Sequence, residues 1–483
     1  MNRRVFLKSG ALSLVTLGLS PSFLRRTAFA MDLPRAAKGK TLIVLFQRGA
    51  ADALNVLVPF GEEAYYKARP QLAIAEPTQS TNGPKAIDLD GFFGLHPSLS
   101  SFKPLWDRGL LAPIHAVGSP SSTRSHFDAQ DYMETGTPDV KGTPDGWLNR
   151  YLATRGTCEA CAPGTNAAVT TPFRAVAMTA QTPRILGGMA PTVAMNSIDE
   201  FSIRTNGGES EKRLEALYRT GSADLVNGSG SEMFEALKVL RAANPQQYRP
   251  AAGIEYPRSP FGQRLMQIAQ LVKAGVGMEV AFADVGGWDT HVNQGAAQGQ
   301  LALRLTDFST SIAALVADLG DRMDDVVILT MSEFGRTVRQ NGTGGTDHGH
   351  AGAMFVIGGS IAGAKKVHGK WPGLQPEQLH EGRDLALTTD FRSVFSEVAS
   401  KHLGAEKLEK IFPGYGVKQS VWLGLILGLG TRDWVLGNGN GIEGATHASP
   451  PRVFRTLQSP VPSPQSPSAL AARFRQAVGD TLA

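Results

Sequence analysis

Three short stretches of this chain gather side chains capable of chemistry. Gly286-Gly287-Trp288-Asp289-Thr290-His291 offers a carboxylate and an imidazole, Ser332-Glu333-Phe334-Gly335-Arg336 a carboxylate and a guanidinium, and Thr346-Asp347-His348-Gly349-His350 a carboxylate with two imidazoles. In extended backbone, residues i and i+2 point the same way, so Asp289 with His291, and His348 with His350, can each present two ligands to one centre. Imidazole and carboxylate together suit zinc, manganese or iron. A fourth stretch, Ser119-Pro120-Ser121-Ser122-Thr123-Arg124-Ser125-His126-Phe127-Asp128, sets hydroxyls beside Arg124 and His126 just ahead of a helix. Free amides and the dipole at a helix N-terminus stabilise an anion or a nucleophile there.

Each residue also has a plain structural reading. Asp289 can cap a helix starting near Asn293, His348 and His350 can be satisfied loop histidines, and Arg48 with Asp52 can pair at a turn. Ser125 can be an ordinary N-cap with an acidic first turn behind it. The set is more telling than its members, because the stretches follow successive strand-like runs.

Those runs are apolar and continuous, as in strands buried on both faces. Thr41 to Phe46, Leu111 to Val117, Met278 to Ala283 and Val326 to Thr330 are the main ones, and Ala353 to Ile357 is a further candidate. Leu99, Phe102, Leu105 and Trp106 mark a helix before the second run. Leu265, Ile268, Leu271 and Val272 mark one before the third, and Leu301, Leu305, Phe308, Ile312, Leu315, Val316 and Leu319 a long one before the fourth. Another is expected over 390–403. Alternating helix and strand predicts an α/β fold with a mostly parallel central sheet and helices on both faces. Ligands in such sheets bind beyond the carboxyl ends of the strands, which is where the polar stretches fall. Residues 157–256, with Gly, Pro and Asn clusters and helical stretches near 212–218 and 232–242, read as an insertion or cap.

The N-terminus carries an address. Arg3-Arg4-Val5-Phe6-Leu7-Lys8, an apolar run from Gly10 to Leu24 and Ala28-Phe29-Ala30 match a twin-arginine signal cleaved after Ala30. The apolar run is shorter than the roughly 20 residues that cross a bilayer, and no later stretch is long enough, so no permanent membrane anchor is expected. The expected partner is the twin-arginine export machinery, and the expected location is periplasmic or extracellular. The formal charge is +5. Residues 1–30 hold five basic residues and no acid, so the remainder is formally neutral and carries no electrostatic footprint for nucleic acid. The two cysteines, Cys158 and Cys161, stand alone as one CxxC, and a local disulfide is the plainer reading in an exported protein. Residues 415–483, with a Pro/Ser-rich run after 458, read as an atypical disordered tail.

Together, Gln47-Arg48-Gly49-Ala50-Ala51-Asp52-Ala53-Leu54-Asn55, Arg124-Ser125-His126-Phe127-Asp128 and the three stretches above resemble the bacterial DUF1501 family of the alkaline phosphatase-like superfamily. The resemblance covers about residues 41–414, so the domain is taken as 31–414. It implies an alkaline phosphatase-like α/β sandwich and hydrolysis of a phosphate or sulfate ester at a metal site. A hydroxyl after an early strand would attack, and Asp and His ligands would follow later ones. Sulfatase-like relatives carry Ser-Asp-His-Gly where this chain has Ser332-Glu333-Phe334-Gly335, leaving a carboxylate without its histidine; Asp347-His348 stands nearby to compensate. The first strand ends in Gln47-Arg48 where relatives place a metal-binding Asp, with Asp52 a few residues later.

The expected ligands of a divalent metal, zinc first and manganese or calcium after it, are Asp52, Asp289, His291, Glu333, Asp347, His348 and His350. Ser125 is the expected nucleophile, with Ser122 and Thr123 as alternatives. His126 lies beside it, and Arg124 or Arg336 is expected to hold an anionic ester. The competing reading is a non-catalytic exported binding protein that keeps the fold.

Overall fold

In the computed structural model the described residues are 39–80, 82–155, 171–198, 239–240, 248–362 and 365–427. The expected twin-arginine signal, the CxxC pair, the 212–218 stretch, most of the 232–242 stretch and the chain beyond 427 lie outside them.

The polar loops converge because of how one sheet is threaded. Eight strands build it: β1 (Thr41–Gln47), β5 (Leu111–Gly118), β6 (Ala175–Ala177), β7 (Val193–Ala194), β8 (Val280–Val285), β9 (Val326–Ser332), β10 (Gly352–Gly358) and β11 (Thr389–Asp390), in the order β11-β5-β10-β9-β1-β8-β6-β7. Short strands β2 (Leu57–Val58), β3 (Ile87–Asp88) and β4 (Gly94–Leu95) form a separate small sheet. All pairings in the large sheet are parallel except those of β10, which runs antiparallel to both β5 and β9. The carboxyl ends of β1, β5, β8 and β9 therefore share an edge with the amino end of β10. Loops after four strands and before a fifth meet there.

β1 sits at the centre, and its residues Leu42 to Phe46 are wholly buried. Period-two alternation sends Ile43 and Leu45 to one face and Leu42, Val44 and Phe46 to the other. Among the described residues, five helices have eight residues or more: α1 (His126–Thr135), α2 (Trp147–Thr154), α3 (Pro260–Ala274), α4 (Gln300–Leu319) and α5 (Phe391–Lys401). Leu265 and Ile268 of α3, with Leu305, Phe308 and Ile312 of α4, cover the first face. Trp147 and Tyr151 of α2, with Phe395 and Val398 of α5, cover the second. The fold is thus a mixed α/β sandwich with a mostly parallel sheet.

Two boundaries differ from the sequence reading. Residues 175–177 and 193–194, expected within an insertion or cap, instead extend the sheet, with β6 pairing parallel to β8. Strands this short carry no periodic signature and are flanked by Pro172 and Pro191. The presumed tail also begins too early, because Tyr415, Val417, Leu423, Leu425 and Ile426 pack on the second core face. Glu397, wholly buried on α5, accepts the amide hydrogens of Leu423, Gly424, Leu425 and Ile426 and fixes that segment. Among the described residues no helix is long and apolar enough to cross a membrane.

Candidate metal centre

Asp289 stands at the centre of the shared edge, on the loop after β8. Gly49, on the loop after β1, has φ 117° and lies so close that a Cβ there would come within 2.7 Å of the Asp289 amide. Glycine meets both demands at once. The Asp289 Oδ1 is 3.0 Å from His291 Nε2 and 3.2 Å from His348 Nε2, and Oδ2 is 3.5 Å from His126 Nε2. Three imidazoles therefore turn the same nitrogen toward one carboxylate. His126, Asp289 and His348 have ligand atoms all within 4.8 Å of one another, the one such group of His, Cys, Asp or Glu among the described residues.

The far edge of each ring is anchored. His126 Nδ1 lies 2.8 Å from Glu333 Oε1, His291 Nδ1 2.9 Å from Asp347 Oδ1, and His348 Nδ1 2.9 Å from the carbonyl of Arg124. Phe334 stacks under His126 with 5.1 Å between ring centres and leans on His348 at the same distance. A carboxylate or carbonyl only accepts, so Nδ1 carries the hydrogen in each neutral ring and its Nε2 is left with a lone pair. Two consequences favour a cation. The Nε2 atoms of His291 and His348 approach to 2.9 Å, where two lone pairs repel unless something positive lies between them. The Nε2 of His126 is buried without a hydrogen-bond partner. This donor set fits zinc chemistry, with imidazole nitrogens and a carboxylate backed by hydrogen-bonded partners.

Local electrostatics follow from these contacts. The bond to Glu333 raises the His126 imidazole above its ordinary range, against the opposing effect of burial. Burial, reinforced by the nearby His126 charge, lowers His348. Burial alone would raise Asp289, but the donated bond and charge of Arg336, with His291 and His126, hold its carboxyl below the usual range.

The other expected site residues lie elsewhere or face elsewhere. Asp52 is wholly buried in an ion pair with Arg69, and Gln294 also donates to it, so it is not a ligand in this group. Arg48 does not meet it and instead pairs with Glu134 and Asp284. Glu333 and Asp347 contact the outer nitrogens of His126 and His291 rather than the converging ones. His350 is also displaced: the chain bends there, breaking the i, i+2 rule, and its ring stacks on His380 at 4.0 Å. Burial and the neighbouring His380 lower its imidazole to about 4.

Arg336, expected to hold an anion, is wholly buried and donates to the carbonyls of Gly49, Ala50, Trp288 and Thr346 and to Asp289. It ties three loops together. Arg124 pairs with Glu381 and Asp384 at 2.6 and 2.7 Å. Ser125 caps α1, its hydroxyl accepting the Asp128 amide at 3.5 Å, while its neighbours on both sides touch the histidine group. Ser122 is exposed and Thr123 half-buried. Sequence reasoning gave no part to Arg69, which has no local signal, or to the Gln130 side chain, which donates to Glu333 at 2.8 Å.

Fold and site together define a mixed α/β protein carrying a histidine and carboxylate cluster at the strand ends of its sheet. The family described as "Protein of unknown function (DUF1501)" matches residues 39–411, and the chain belongs to it. No curated protein matches the chain significantly.

Proposed function

We propose that this chain is a metal-dependent hydrolase of phosphate or sulfate esters on an alkaline phosphatase-like sandwich. The observation that carries the reading is the convergence of three imidazole Nε2 edges on the Asp289 carboxylate. Its place beyond the carboxyl ends of parallel strands is where ligands enter such sheets. His126, Asp289 and His348 would hold the ion, with His291 beside them. A divalent cation there, zinc before manganese or calcium, would neutralise charge developing on an ester oxygen and make a nearby hydroxyl a stronger nucleophile.

Ser125 is the candidate for that hydroxyl. Its backbone runs between the Arg124 carbonyl, which holds His348, and His126 itself, so both neighbours tether it to the cluster. The Ser125 hydroxyl would lose its proton to solvent as Oγ bonds to phosphorus or sulfur, the alcohol oxygen would leave and take a proton from solvent, and a water would later release the acid.

The test is a panel of aryl phosphates, phosphodiesters and sulfate esters offered to zinc- or manganese-loaded protein. Wild type is expected to turn over at least one class. Ser125→Ala should lose turnover and keep its metal, whereas His291→Ala should lose both in parallel. Full turnover by Ser125→Ala would transfer the role to Ser122 or Thr123. No cleavage of any ester would overturn the hydrolase reading in favour of a non-catalytic binding protein. One observation already leans that way: the Arg124 side chain bonds to the chain's own carboxylates and the Arg336 side chain to a carboxylate and four carbonyls.

A further inference from the structure

We infer that Glu333 and Asp347, which the sequence presents as metal ligands, act instead as positioning residues that dictate which nitrogen of His126 and His291 faces the centre. The inference rests on the metal-binding reading above. Glu333 is wholly buried, and its Oε1 accepts from the Gly49 amide, His126 Nδ1 and Gln130 Nε2, each at 2.8 Å. Its Oε2 lies 3.1 Å from Ser332 Oγ, whose one hydrogen is closer to the Gln47 carbonyl at 2.8 Å. Three donors exceed the two lone pairs of Oε1, so the oxygen that faces His126 has none free for a cation. The three bonds to Oε1 join the loops after β1 and β9 to the first turns of α1, which gives the carboxylate a fixed direction. His126 can meet it only with Nδ1–H, and in the neutral ring its Nε2 is then bare and turned to Asp289.

Asp347 does the same for His291, with Asn341 Nδ2 also donating to its Oδ1 at 3.1 Å. The two carboxylates differ in setting. The Asp347 side chain is 53% exposed and that of Glu333 is 0% exposed. Water can replace Asp347 as the acceptor for an imidazole N–H, but no water reaches the Glu333 position. Glu333 should therefore be the stronger determinant. Glu333→Gln keeps the shape but puts a neutral amide oxygen, a weaker acceptor than the carboxylate, opposite His126 Nδ1–H, the Gly49 amide and Gln130.

Zinc competition against a chromophoric chelator, carried out on the chain with each substitution, tests the ranking. Glu333→Gln is expected to weaken zinc binding by about 10–100-fold at unchanged stoichiometry, the usual effect of losing such a partner. Asp347→Asn should weaken it less. Nitrogen NMR of histidine-labelled wild type supplies a readout that does not depend on a variant folding: His126 should carry its hydrogen on Nδ1 with or without zinc. Equal zinc affinity in Glu333→Gln, or a neutral His126 with its hydrogen on Nε2 alone, would overturn the inference. Absence of zinc binding by wild type would strike the metal-centre reading alone, because the His126 tautomer in the metal-free chain still decides the role of Glu333.

Discussion

Asp52 and Asp289 lie on loops after neighbouring strands, and each faces an arginine, yet they sit in opposite kinds of surroundings. Around Asp52 every group is answered. Arg69 donates to both carboxylate oxygens, Gln294 adds a bond at 2.6 Å, and the remaining Arg69 donors meet Asn55 Oδ1 and the carbonyls of Thr337 and Val338. Around Asp289 there are too many acceptors. Three imidazole lone pairs and a carboxylate face one another with Arg336 as the one fixed charge donor. A closed set of donors and acceptors is architecture, whereas a surplus of lone pairs at a partly open edge is what the proposed cation site requires.

The contrast can be broken from the closed side first. Arg69→Met leaves Asp52 buried without its counter-charge and should cost about 3–5 kcal/mol of stability in denaturant unfolding. Zinc affinity of the folded fraction should not change. A loss below about 1 kcal/mol would mean that the Asp52 pocket is less closed than its bonds indicate.

A smaller effect is expected at Asp318 on α4, another saturated carboxylate, bonded by Lys273, Tyr248, Tyr256 and the Ala251 amide. Burial would raise its carboxyl, but the donated bonds from Lys273, Tyr248 and Ala251 hold it below the usual range. A lowered native value means that its contribution is present above the unfolded value of about 3.9 and disappears as pH falls through the native one. Asp318→Asn should therefore cost about 1–3 kcal/mol near neutrality and give a shallower loss of stability between about pH 5 and pH 3. Parallel acid slopes for the two proteins would contradict this.

Much of the sheet was legible because burial on both faces leaves an unmistakable mark. β1, β5, β9 and β10 and the long helix α4 all lie where apolar runs and helical spacing put them. β6 and β7 were hidden, since two or three residues cannot display a period. The segment 415–427 was misread for a different reason: its order comes from Glu397, a charge on a distant helix that caps four amides. In the site, the i, i+2 rule correctly joined Asp289 to His291 but failed for His348 and His350, where the backbone bends. Residue type alone also cannot separate a carboxylate that faces Nε2 from one that faces Nδ1. That is why Glu333, Asp347 and Asp52 looked like Asp289 in sequence.

The central claim is that the Asp289 cluster holds a divalent cation, and calorimetric titration of zinc into the chelator-treated chain tests it most directly. The account predicts one tight site per chain, abolished by Asp289→Ala and by His348→Ala but retained in His350→Ala. Absence of a tight site, or a site that survives both of the first two substitutions, would contradict it.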